Sequence, residues 1–174
     1  MMRWIFGILI ALAIVVVLIA VIGSSLPKKH QVSRTVRLPL PPDLLYSLLT
    51  DVDRYPAWRP GVTALNRLAD RNGLPAWVET VGSDRIPLAF ERMERPSLLM
   101  TRITDTTLPF GGTWTYRLSP IADGSELTIV EDGEVYNPIF RFMARFVFGH
   151  TATMDRFLGD LRTKAGSGTT DAAR

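Results

Sequence analysis

The chain has 174 residues, of which 47% are hydrophobic and 21% charged, and its formal net charge is +3. These values are typical of a globular protein with one core of ordinary size. A charge this small does not predict a nucleic-acid partner, because such partners usually require a dense basic face. The absence of Cys excludes disulfides, thiolate nucleophiles and Cys-ligated metals. With only two His residues besides, we predict neither a metal site nor a cofactor.

The N-terminus is an uninterrupted apolar run, Trp4–Ile22. As a helix it would be about 28 Å long at ~1.5 Å per residue, close to the ~30 Å hydrocarbon core of a bilayer. Trp4 stands where an interfacial aromatic would, and Lys28 and Lys29 can reach the opposite headgroups. We predict a single-pass transmembrane anchor over residues 1–26. The alternatives are a buried core helix and a cleaved signal peptide, whose apolar region would be about 7–15 residues long.

The charges that flank the apolar run bear on the orientation of the anchor. Arg3 and the α-amino group precede it, whereas Lys28, Lys29, Arg34 and Arg37 follow it. The positive-inside rule therefore places the soluble domain in the cytoplasm by a small margin. The opposite side stays open, because Arg34 and Arg37 belong to a predicted strand.

Composition divides the rest of the chain into three parts. Residues 27–30 form a polar linker, residues 31–164 form the folded domain, and the small polar residues 165–174 are predicted to be a disordered tail. Within the domain, alternation predicts a first strand, and two short Pro-containing helices follow before Pro60. Six further segments of strand length are separated by turn signals. They are Val62–Ala69, Ala76–Val81, Ile86–Arg92, Leu98–Ile103, Thr113–Leu118 and Glu126–Val130, the last with an extension to Glu134.

A long helix is predicted to begin at Pro138, because apolar residues recur at helical spacing from Ile139 to Leu161. Gly149 lies in its middle, where it can kink the helix or allow close approach. The predicted order is strand, short helices, strands, long helix, which is not the alternating pattern of a parallel sheet. We therefore predict an α+β fold in which a curved antiparallel sheet of about seven strands surrounds the long C-terminal helix.

The pattern of the domain resembles the START-like, or SRPBCC, superfamily, and its polyketide cyclase/dehydrase-like members most of all. The resemblance covers Gln31 to Leu161 and implies a helix-grip fold, in which the sheet grips the helix around an apolar pocket. Members bind lipids, sterols, quinones or polyketides, and some catalyse cyclisation or dehydration. The resemblance rests on Pro41, Pro42, Leu45, Leu48, Leu49, Asp51, Tyr55, Pro56, Trp58, Pro60, the segment WTYRLSP at 114–120, Gly124, Gly149, Met154 and Leu158.

Aromatic and Met side chains at inward positions are the candidate lining of such a pocket, although each of them can equally fill the core. His150 lies on the apolar arc of the long helix. It would either hydrogen-bond a ligand or be satisfied within the protein. The predicted ligand-binding set is Trp58, Phe90, Met100, Trp114, Tyr116, Phe142, Phe146, His150 and Met154.

No residue is assigned a catalytic role. Alternation places Glu79 and Glu131 on inward positions with Arg92 or Arg102 as a partner, which would orient a ligand head group. The first hypothesis is a membrane-tethered domain that binds an apolar, lipid-like molecule. The second is a cyclase or dehydratase acting on a polyketide or aromatic substrate, with His150 and Tyr116 or a carboxylate as general acid and base. The third is an interaction domain with a filled core.

Overall fold

The computed structural model describes residues 2–149 and 151–171. It contains a seven-stranded antiparallel sheet in the order β1-β7-β6-β5-β4-β3-β2, and the α+β prediction is confirmed. The strands are β1 (Lys29–Leu38), β2 (Val62–Arg71), β3 (Leu74–Val81), β4 (Asp84–Glu94), β5 (Leu98–Ile103), β6 (Phe110–Ile121) and β7 (Gly124–Val135). The helices are α1 (Met2–Ser25), α2 (Pro42–Thr50), α3 (Tyr55–Trp58), α4 (Pro138–Met143) and α5 (Ala152–Asp171).

One face of the curved sheet carries the core. Cross-strand register places Leu99 opposite Tyr116 and Thr101 opposite Trp114, so these four side chains share that inner face. Helices α2, α3 and α5 cover the inner face. The buried cluster between the layers includes Leu45, Trp58, Trp77, Phe90, Leu127, Ile129, Met154, Phe157 and Leu161.

The predicted C-terminal helix is divided into two parts. Asn137 caps α4, because its Oδ1 accepts hydrogen bonds from the N–H groups of Ile139 at 2.9 Å and Phe140 at 3.2 Å. A π-helical turn over Ala144–Phe148 follows, and Gly149 ends it with a φ of +76°. Such a φ is strained for residues with a Cβ, so the glycine allows the break. Of the two parts, α5 supplies the buried residues Met154, Phe157 and Leu161 to the core, whereas Phe146, predicted on the buried arc, is 59% exposed.

Two boundaries of the folded domain differ from the predicted ones. Strand β1 begins at Lys29 and continues its register with β7 through His30, which pairs with Gly133, so His30 belongs to the sheet rather than to a linker. Helix α5 continues through residues 165–171, where a disordered tail was predicted. Ala165 is buried because it follows Leu161 by one helical turn on the face that meets the sheet.

Helix α1 projects from the domain. Its segment Arg3–Ser25 has a mean hydropathy of 3.5 and is long and apolar enough to cross a membrane. None of its most apolar window is buried, which contradicts the core-helix alternative for this described segment. Its C-terminal end meets α4, where a Cβ on Gly23 would lie 1.9 Å from the carbonyl oxygen of Pro138. Arg141 strengthens the contact, because its Nη1 donates to the carbonyl oxygen of Leu26 at 2.7 Å.

Candidate functional site

A cavity of about 460 Å³ lies between the inner face of the sheet and α3 and α5. Its floor is formed by buried side chains that include Tyr55, Trp77 and Phe157. Its rim includes the exposed residues Asp84, Thr153 and Arg156, together with Gly149. The volume falls within the ~300–1,000 Å³ that is usual for small-molecule sites.

Aromatic rings form one wall of the cavity. The ring centroid of Phe157 lies 5.6 Å from that of Trp114 and 6.0 Å from that of Tyr116, in edge-on arrangements. The centroid of Trp58, a residue of the buried core, lies 5.8 Å from that of Phe157. Rings at these distances and angles attract each other beyond their apolar burial. Contacts between aromatic rings therefore hold this wall of the cavity together.

A charged pair lies beside the aromatic wall, because the guanidinium of Arg59 lies over the Phe157 ring, 5.2 Å from its centroid. Arg59 follows α3 and its Nη1 donates to the Glu79 Oε1 of β3 at 2.8 Å, while the indole N–H of Trp77 donates to the same oxygen at 3.1 Å. The guanidinium also lies over the Tyr55 ring, 4.7 Å from its centroid. Glu79 points inward as predicted, but its partner is Arg59. Arg92 and Arg102 instead pair with Glu94 and Glu91 in exposed ion pairs.

A second polar pair lies where β1 meets β7. His30 Nε2 lies 3.3 Å from Glu131 Oε1, and both side chains are less than one-fifth exposed. Burial lowers the pKa of His30, so the imidazole is mainly neutral near pH 7. Both residues line the cavity, which confirms that Glu131 points inward. When the neutral imidazole donates from Nε2 to the carboxylate, its Nδ1 is left as an acceptor.

Tyr116 supplies a hydroxyl between the two polar pairs. Burial raises the pKa of its phenol far above the usual value, and the nearby Arg59 and Thr101 oppose this only in part. The phenol therefore stays protonated at neutral pH and remains able to donate a hydrogen bond. Tyr116, Arg59 and His30 together give the apolar cavity a few convergent polar groups, the combination typical of ligand sites.

The structure brings only some of the predicted ligand-binding residues to the cavity. Trp114 and Tyr116 line it. Trp58, Phe90 and Met154 are buried in the core beside it, so they support the lining without forming it. Met100 lies opposite Thr115 and Arg92, on the outer face of the sheet.

The remaining three predicted residues belong to the divided C-terminal helix. Phe142 and Phe146 lie on the segment that α4 and the π-helical turn form, away from the cavity lining. His150 lies outside the described residues.

Sequence reasoning missed His30, Arg59 and Thr101 as cavity residues. His30 has the same strand parity as Val32 and Val36, so extending the alternation of β1 backwards would have found it. To identify Thr101 as a cavity residue, the register between β5 and β6 must be known, and no local sequence pattern contains that register.

The comparisons place the domain in a known family. A model described as "Polyketide cyclase / dehydrase and lipid transport" matches residues 29–166. No curated protein matches the chain.

Solved structures share the fold at low identity. A START superfamily protein from Mycobacterium smegmatis is 19% identical, with a TM-score of 0.63 over 79% of this chain and 98% of that one. The Zhui aromatase/cyclase from Streptomyces sp. R1128 is 15% identical, with a TM-score of 0.63 over 79% of this chain and 94% of that one. The di-domain aromatase/cyclase StfQ of steffimycin biosynthesis is 13% identical, with a TM-score of 0.65 over 84% of this chain and 53% of that one. The chain belongs to the polyketide cyclase/dehydrase and lipid transport family and has the START-like fold.

Proposed function

We propose that this protein is a membrane-tethered domain that binds an apolar, lipid-like small molecule in the cavity between sheet and helix. The observation that carries the proposal is the cavity of about 460 Å³, which has an aromatic wall of Trp114, Tyr116 and Phe157 and also contains charged side chains in its lining. A filled core, as an interaction domain would have, offers no such space. The Arg59–Glu79 pair and the Tyr116 hydroxyl would orient the polar end of the ligand.

The tether would raise the ligand concentration that the cavity meets. Helix α1 is long enough to cross the bilayer, and the cavity would then lie close to molecules dissolved in the same membrane. Confinement of two partners to one surface acts like a short linker and raises their effective concentration. In this proposal residues 1–26 are a single-pass anchor, and the positive-inside count favours the cytoplasmic side for the domain.

The anchor is tested by extraction. We expect the full-length chain to stay in the membrane fraction after carbonate washing and to keep its N-terminus, because α1 carries no charged residue after Arg3 and the apolar run is longer than that of a signal peptide. Intact-mass measurement of the membrane fraction checks both points. Uncut protein in the soluble fraction would contradict the anchor, and a mature chain that lacks α1 would identify a signal peptide.

Ligand binding is tested with two neighbouring substitutions on β5. Thr101→Trp places a large ring in the cavity and should abolish saturable binding, whereas Met100→Trp adds the same ring to the outer face and should leave affinity unchanged. Binding is measured by fluorescence titration of the detergent-solubilised chain with fatty acids, quinones and polycyclic aromatics, and the melting temperature of each variant reports its folding. Mass spectrometry of copurified molecules would identify the ligand class. Saturable binding that persists in a folded Thr101→Trp variant would place the site elsewhere.

A second candidate function is a cyclase or dehydratase that acts on a polyketide or aromatic substrate. The observation that favours it is the pairing of His30 with Glu131 in the cavity, with Tyr116 near by, because a neutral His beside a carboxylate is a usual general base. If the protein is such an enzyme, His30→Gln should remove turnover while ligand affinity stays near normal. In a domain that only binds its ligand, His30→Gln should weaken the affinity only for ligands with a polar head group. The loss of one hydrogen bond would weaken that affinity by about a few-fold to tenfold.

A further inference from the structure

A group of exposed apolar side chains lies on α4 and the π-helical turn that follows it. Ile139, Phe140, Phe146 and Val147 are between 41% and 59% exposed, and we call these four residues the α4 apolar patch. Their spacing places them on one side of the segment. The ring of Phe142 packs beside that of Phe146, with centroids 4.9 Å apart, and extends the apolar surface. Concentrated apolar exposure of this kind marks an interaction site in a soluble domain.

The position of the α4 apolar patch is tied to the end of the apolar helix α1. Arg141 is buried and donates from Nη1 to the carbonyl oxygen of Leu26, at 2.7 Å. Gly23 of α1 faces Pro138 of α4 with no room for a Cβ. Close packing and buried hydrogen bonds of this kind hold two elements in one arrangement. The patch therefore stays beside the point where α1 would leave the hydrocarbon.

The surroundings of the patch match the boundary between hydrocarbon and headgroups. Val21 and Ile22 at the end of α1 are exposed apolar residues, so the apolar surface of α1 leads toward α4. Lys28 and Arg145 are exposed in the segments that follow α1 and α4. Aromatic and apolar side chains with basic neighbours are the composition of segments that lie in a membrane interface.

We propose that the α4 apolar patch docks on the bilayer that holds α1 and so turns the rim of the cavity toward the lipid. The inference rests on the tether in the proposed function. Ala144 and Gly149, on either side of Phe146 and Val147, line the cavity. One short segment thus forms part of the cavity rim and carries the membrane contact. A ligand dissolved in the bilayer would then enter without crossing bulk water.

The test uses the absence of Cys from the chain, because each single introduced cysteine is then labelled alone. Val16→Cys in α1, Phe146→Cys and Phe140→Cys in the patch, and Leu68→Cys on β2 receive an environment-sensitive fluorophore. Leu68 is the matched control, because it is an exposed apolar residue on the edge strand opposite β1. The full chain is reconstituted in phosphatidylcholine vesicles with and without brominated acyl chains. We expect labels at positions 16, 140 and 146 to be quenched several-fold more than the label at position 68.

Each outcome decides between the tether and the docking. If the label at position 16 is quenched and those at positions 140 and 146 behave like that at position 68, the docking is wrong and the tether stands. If position 16 is not quenched, both are overturned. Energy transfer between differently labelled copies at position 146, without quenching by brominated lipid, would assign the patch to a second copy of the chain and would also overturn the proposal. Circular dichroism of each labelled variant reports that the fold is intact.

Discussion

Glu79→Ala is expected to lower the free energy of unfolding by about 3–5 kcal/mol, because it leaves the guanidinium of Arg59 without its carboxylate inside the protein. The side chain of Arg59 is 17% exposed and that of Glu79 is 6% exposed, and Arg59 Nη1 lies 2.8 Å from Glu79 Oε1. The same oxygen accepts the indole N–H of Trp77, so the substitution also removes the partner of a buried donor. A loss of this size is a large share of the ~5–15 kcal/mol that usually stabilises a domain.

The matched control for Glu79→Ala is Glu91→Ala. Glu91 pairs with Arg102 on the outer face, where the side chains are 36% and 45% exposed. Exposed ion pairs contribute about 0–1 kcal/mol, because water and salt screen them. Denaturant unfolding of the full chain in detergent, followed by tryptophan fluorescence, measures both changes. If the two variants lose similar amounts of unfolding free energy, water reaches the Arg59–Glu79 pair. The prediction that this pair is a buried part of the cavity floor would then be wrong.

The strands of the domain were predictable because each one carries a local signal. Turn residues such as the Asn72-Gly73 pair lie between alternating segments, and Asn72 indeed adopts a positive φ of 53° in that turn. Alternation within a strand also made Glu79 and Glu131 candidates for the inner face, and both line the cavity. These features depend on neighbouring residues alone, and the sequence contains them in full.

Register between strands has no such local signal, and the misplacement of Met100 follows from this. Leu98, Leu99 and Met100 are all apolar, so the parity of β5 is ambiguous by residue type. The pairing of β4 with β5 also shifts in register between Phe90 and Arg92. Such a shift moves a side chain from one face to the other, and it arises from the packing of the whole sheet.

The partner of Glu79 could not be predicted for a related reason, and Gly149 predicted only a kink or a close approach, not a helix divided in two. Arg59 reaches Glu79 only because α3 folds over the inner face, a placement that depends on contacts far apart in the chain. Apolar residues keep helical spacing on both sides of Gly149, so periodicity predicts one continuous helix. The direction in which the chain leaves a glycine with positive φ depends on tertiary packing, which periodicity does not describe.

Phe157→Ala is expected to cost about 3–5 kcal/mol of unfolding free energy, whereas Phe146→Ala should change it by less than ~0.5 kcal/mol. Phe157 is buried on α5 among the rings of Trp58, Trp114 and Tyr116, and its removal leaves a hole in the wall of the cavity. Phe146 is exposed on the far side of Gly149, so its truncation opens no hole.

The two residues are of one type on one predicted helix, and a continuous helix would make both changes costly. Thermal and denaturant unfolding of the two variants gives their unfolding free energies and so tests the break at Gly149. Comparable destabilisation by both substitutions would show that the segment 138–148 packs against the sheet. A stable Phe146→Ala variant with weaker membrane contact would in turn assign the ring to the surface that the bilayer covers.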